Sequence, residues 1–202
     1  MIRKFLLACA MVVLPVANVI AADFDQRHTL VVYFSLIENR IPAINNDSFE
    51  NKNSGNSQNI ARLIAKNVNG DIYSLEVVNK YGTEYNDVTA RAVQERNDNA
   101  RPRLKSLPDV SAYDTIFVVY PIWGGLYPRA VASFLDNTNL ENKTIIPAAT
   151  HGGSGLSRSI AELKHTLTKS RVIEDGFDLL GSHAHDSNVE ELIQNYLQNL
   201  SL

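Results

Sequence analysis

The chain has 202 residues, is 45% hydrophobic and 20% charged, and carries a formal charge of -3. That is the make-up of one α/β domain with a core large enough to fold without metals or disulfides. The acidic balance excludes a general nucleic-acid binder, because no basic surplus exists to neutralise phosphates.

Residues 1–22 read as an export leader. Arg3 and Lys4 precede an apolar run from Phe5 through Val13, and the small residues Ala21 and Ala22 stand just before polar Asp23. This is the three-part layout of a signal peptide. A membrane anchor is the alternative, but Pro15, Asn18 and the marginal length count against a span. Cleavage removes two of the 19 basic residues and none of the 22 acidic ones, so the net charge moves from -3 to -5. It also removes Cys9, the only cysteine, and with it disulfides and thiol chemistry. The expected location is therefore outside the cytoplasm, periplasmic in a bacterium and secreted otherwise, with no stable membrane span after cleavage.

From Thr29 the pattern alternates between strand-like and helix-like segments. Thr29–Phe34 is a continuous β-branched and aromatic run, as in a strand buried on both faces. Leu36–Asn53 is polar and fits no element, so it reads as an insertion or long loop. From Ser57, Ile60, Leu63, Ile64 and Val68 follow helical spacing, and Asn69-Gly70 ends that helix. Ile72–Val78 reads as an outer strand and 87–99 as a polar helix.

Thr115–Tyr120 is the third strand, and a helix follows over about Arg129–Asp136. Thr144–Ala149 is the fourth strand, with Pro147 awkward in it because proline lacks a ladder donor. Leu156, Ile160, Leu163 and Leu167 line a fourth helix. A broken fifth strand spans Arg171–Leu180, and Val189–Leu200 carries the clearest helical stripe. Five strands alternating with five helices predict a doubly wound parallel sheet with helices on both faces. In such sheets ligands bind beyond the carboxyl ends of the strands.

The loops at that end carry the chemistry. Ser54-Gly55-Asn56-Ser57 places hydroxyls, an amide and a glycine at a helix start, where backbone donors and the dipole favour an anion. By itself this is also the make-up of a plain helix cap. Together with Ser35, Asn99-Ala100-Arg101-Pro102, Tyr120-Pro121-Ile122-Trp123-Gly124-Gly125 and Thr150-His151-Gly152-Gly153-Ser154-Gly155, the set resembles the flavodoxin-like family over about residues 29–200. The resemblance implies a five-stranded sheet of order 2-1-3-4-5 spanning residues 23–202 and flavin mononucleotide (FMN) as cofactor. It implies that Ser35, Ser54, Gly55, Asn56 and Ser57 hold the phosphate. Pro121, Ile122, Trp123 and Gly124 then flank the isoalloxazine ring, with Thr150, His151, Gly152 and Gly153 along its other edge. The departure from the pattern is the insertion Leu36–Asn53, which splits the phosphate loop.

Electron transfer with a partner protein or a small acceptor is the first functional expectation. The alternatives are an FMN-dependent NAD(P)H:quinone-type reductase and a binding module that has lost flavin. Whether the chain is an enzyme stays open at this point, and no catalytic residue or metal ligand set is singled out. His183-Ala184-His185-Asp186 reads as a solvated loop. A serine-hydrolase order exists in Ser154, Asp178 and His183, but the turn lacks the last glycine of the nucleophile elbow.

Overall fold

A computed structural model describes residues 28–41 and 54–200 of the chain. The leader 1–22 and most of the insertion therefore lie outside the described residues. Strand β1 (Thr29–Tyr33) is buried at every position. Leu30 and Val32 join one core while Val31 and Tyr33 join the other, as alternation in a doubly covered strand requires.

The remaining elements are α1 (Leu36–Asn39), α2 (Asn56–Val68), β2 (Asp71–Ser74), α3 (Tyr85–Asn97), β3 (Thr115–Pro121), α4 (Arg129–Asn137), β4 (Thr144–His151), α5 (Ser159–Thr166), β5 (Arg171–Val172), β6 (Phe177–Leu180) and α6 (Val189–Asn199). The sheet runs β2-β1-β3-β4-β5, and β6 also pairs with β4. All pairings are parallel. The expected order and the broken fifth strand are both present. Ile60, Ile64, Ile193 and Leu197 of α2 and α6 close one face. Val88, Val131, Phe134 and Leu163 of α3, α4 and α5 close the other. Each fully buried aliphatic or aromatic side chain contributes roughly 1.5–3 kcal/mol.

Pro147 is accommodated by the break in the fifth strand. The Ile145 carbonyl accepts from Ile173 N at 2.9 Å, on the β5 side. Alternation then turns position 147 to the same side, between the β5 and β6 pairings at Ile145 and Ala148. The donor that proline lacks falls where no strand accepts it. The chain passes this point at Gly176, where a Cβ would lie 2.6 Å from the Pro147 carbonyl oxygen. Only glycine permits that approach.

Three boundaries differ from the sequence pattern. Ile72–Val78 was expected to be one strand, but β2 stops at Ser74 and the chain turns to the 103–105 segment, with Val78 N donating to Arg103 O at 2.8 Å. Helix α5 starts at Ser159 rather than Leu156, and α3 runs two residues earlier than expected.

The start of the insertion, expected to hold no element, forms the helical turn α1. Asn39 is fully buried there. Its Nδ2 donates to Ser35 O at 2.8 Å and Leu75 O at 2.9 Å, and its Oδ1 accepts from Val77 N at 2.7 Å. One satisfied side chain thus staples α1 to the segment after β2. No helix among the described residues is long and apolar enough to cross a membrane.

Candidate functional site

The carboxyl ends of β1, β3 and β4 meet at a cleft of about 410 Å³. Eight of the thirteen expected residues line it: Ser35, Ser54, Gly55, Asn56, Ser57, Pro121, Trp123 and Thr150. The two halves of the split loop touch, because a Cβ placed on Gly55 would lie 2.0 Å from Ser35 Oγ. Gly55, at the start of α2, has no side chain to cap it. Instead Gln58 Oε1 reaches back to accept from Gly55 N at 3.2 Å. The first-turn amides of α2 therefore face the cleft end of the sheet, where an anion complements them.

Ser57 Oγ and Thr150 Oγ1 lie 2.9 Å apart, both buried, and join α2 to the end of β4. Beneath them, Glu38 of α1 accepts from Tyr33 OH and Gln58 Nε2, each at 2.6 Å, and from Ser74 Oγ at 3.0 Å. Burial and the neighbouring Glu38 carboxylate raise the Tyr33 phenol above its ordinary range. This network fixes the angle at which α1 leaves β1.

Leu36, Ile37 and Arg40 line the cleft as well, and sequence reasoning missed all three by reading 36–53 as a single loop. None of the lining residues among those described is acidic, although the chain as a whole is. Hydroxyls, an amide, an open helix start and one guanidinium form a donor set that suits a phosphate dianion. The group that the sequence pattern implies therefore fits.

Ile122 and Gly124 lie instead along an adjoining cleft of about 270 Å³, which shares Leu36, Arg40 and Trp123 with the first. Trp123 stands between the two. It is half-buried, edge-on to Phe34 and Tyr81 at 5.4 Å from each. The turn after it holds it there, with Trp123 N donating to Leu126 O at 2.8 Å.

His151, the last residue of β4, and Gly152 and Gly153 of the loop after it line neither cleft. Gly153 N donates to His151 Nδ1 at 2.9 Å, so the ring proton sits on Nε2 and is donated to Asp178 Oδ1 at 2.8 Å. Strand β6 thereby braces the β4 loop. Asp178 thus pairs with His151 rather than His183, and His183 pairs with Asp186 at 2.7 Å, so the order Ser154, Asp178, His183 does not assemble. Asn99-Ala100-Arg101-Pro102 has a packing role. Arg129 donates to Ala100 O at 3.2 Å and to Asn99 Oδ1, and Ser133 Oγ donates to Pro102 O at 2.8 Å.

Solved structures share this architecture. A Bacteroides eggerthii protein provisionally classed as a flavoprotein is 28% identical, with a TM-score of 0.69 over 87% of this chain and 99% of its own. A Bacteroides uniformis protein of the same description is 26% identical, with a TM-score of 0.63 over 86% and 99%. A Lactobacillus acidophilus flavoprotein in complex with FMN, at 17% identity, shares the fold with a TM-score of 0.57 over 78% and 95%. No curated protein matches in sequence. The model of the family described as Flavodoxin matches residues 49–198, and with the sheet order and the cleft in view, the chain belongs to the flavodoxin family.

Proposed function

We propose that the protein binds FMN in the cleft at the ends of β1, β3 and β4 and works as an electron carrier. One observation carries the reading. Among the described residues, a cleft in an acidic chain is lined by hydroxyls, the first turn of α2 and Arg40, with no carboxylate. Ser35, Ser54, Asn56 and Ser57 would hold the phosphate, with Gly55 letting backbone and hydroxyl meet. Trp123 and Pro121 would flank the ring, and the His151–Gly153 loop would face its far edge.

When bound, FMN supplies the redox chemistry, and the protein's part is to orient it and tune its surroundings. Ser57 and Thr150 fix the floor of the cleft. The His151–Asp178 pair holds the β4 loop, and a half-buried Trp123 limits water on one side of the site. The presence of a second cleft beside Trp123 favours the reductase as an alternative, since a small acceptor has somewhere to sit. Anaerobic mixing of the FMN-loaded protein with NADH or NADPH tests between them. The carrier reading expects slow or no bleaching by either nucleotide and ready reduction by a one-electron donor. Rapid bleaching by a nucleotide, followed by turnover with a quinone, overturns it.

The leader reading of residues 1–22 makes the protein an exported one. Mass spectrometry of the protein recovered from the periplasm or medium would show the chain starting at Ala22 or Asp23. An intact amino terminus on a cytoplasmic protein contradicts it.

A further inference from the structure

The cleft on the far side of Trp123 has the character of a second ligand site. Val88, Ala92 and Val93 of α3, with Ile122 and Trp123, form an apolar wall. Tyr85 also lines it and is 68% exposed. Two guanidiniums, Arg40 and Arg96, face the same space, and no acidic residue among those described lines it.

Their state is the second observation. Arg96 donates one bond to Gly124 O, at 3.2 Å, and neither arginine pairs with a carboxylate among the described residues. Some other basic side chains do pair, as Arg91 with Glu95, Arg101 with Asp136 and Lys105 with Glu76. In a chain with more acidic than basic residues, two arginines left without carboxylates at one apolar cleft give a local preference for an anion. A volume of about 270 Å³ falls just below the roughly 300–1,000 Å³ typical of ligand pockets. That restricts the occupant to one or two fused rings.

We propose that this cleft is a second binding site, separate from the phosphate-lined one, for a planar one- or two-ring aromatic carboxylate. The ring lies against Val88, Ala92, Ile122 and Trp123, and the carboxylate meets Arg96. Arginine suits this role because its planar fork offers paired donors to a carboxylate. The site goes beyond the flavin reading and does not depend on it.

Calorimetric titration with naphthalene-2-carboxylate and with its neutral carboxamide tests the proposal. The carboxylate binds about tenfold or more tightly than the carboxamide, and Arg96→Gln brings the two affinities together. Ala92→Phe fills the cleft and removes binding of both, and Thr89→Phe, at an exposed lining position, weakens both without touching the core. FMN affinity, followed separately by flavin fluorescence, is unchanged in Arg96→Gln, Ala92→Phe and Thr89→Phe. Saturating FMN leaves carboxylate binding in place. Equal affinities for carboxylate and carboxamide overturn the proposal, as does binding indifferent to both filling substitutions. Competition between FMN and the carboxylate also overturns it, by making this space the ring end of the flavin cleft. Failure of the wild-type protein to bind FMN, with carboxylate binding intact, defeats the flavin reading alone.

Discussion

Ser35 and Gly55 are twenty positions apart in the chain, yet the Ser35 hydroxyl rests against the Gly55 α-carbon, leaving no room for a methyl group. That contact brings together the two halves of the loop proposed to hold the phosphate, which the sequence splits. It explains why an insertion can be carried at this point, because only the ends of the inserted segment must meet.

Gly55→Ala therefore drives a methyl into a buried hydroxyl. Overpacking of this kind costs about 1–3 kcal/mol, and FMN affinity is expected to fall by about tenfold or more. Thermal unfolding and flavin titration measure the two effects. Adding Ser35→Ala removes the clashing oxygen and restores stability but not full affinity. Restoration of neither would mean that the contact does not hold the loop.

The strands that place this cleft are legible in the sequence because β1, β3 and β4 are buried on both faces and read as unbroken apolar runs. The fifth strand is legible as broken, and Pro147 with Gly176 gives the physical cause. Helix α1 is not legible. Four residues carry too little periodicity, and what holds them is Asn39 reaching Leu75 and Val77 across the fold. The lining roles of Ile37 and Arg40 are hidden for the same reason, since they depend on α1. Trp123 is legible as a strand-end aromatic, but its contact with Tyr81 is not, because Tyr81 comes from the segment that leaves β2.

Gly176→Ala isolates fold from function. The added Cβ would lie 2.6 Å from the Pro147 carbonyl, so a loss of about 1–3 kcal/mol is expected, with a lower Tm. FMN affinity of the folded variant should equal that of the parent, since Gly176 lines neither cleft. A variant of unchanged stability would contradict the account of the strand break.

Trp123→Ala is expected to act on both. Losing its edge contacts with Phe34 and Tyr81 destabilises the fold by about 1–3 kcal/mol, and flavin affinity or potential shifts as well. Circular dichroism and flavin titration separate the two. A variant that is less stable but binds FMN normally makes Trp123 a packing residue only.

Alkaline pH probes the core. Burial raises the phenols of Tyr81, Tyr120, Tyr127 and Tyr196, Tyr127 to about 12. In the unfolded chain such groups ionise near pH 10. The unfolded state thus loses protons first, so stability is whole below about pH 10 and declines as pH rises further. Part of the tyrosinate absorbance should appear only together with loss of the far-ultraviolet dichroism. Full ionisation with the fold intact would contradict the burial of these rings.

The central claim, that the hydroxyl-lined cleft holds the phosphate of FMN, is tested most directly by comparing FMN with riboflavin. Fluorescence titration of the mature protein with each ligand should give one FMN bound per chain. FMN should bind about 100-fold or more tightly, as expected when charge-assisted bonds to a phosphate are lost in riboflavin. Equal affinity for the two ligands, or no binding of FMN at all, would contradict it.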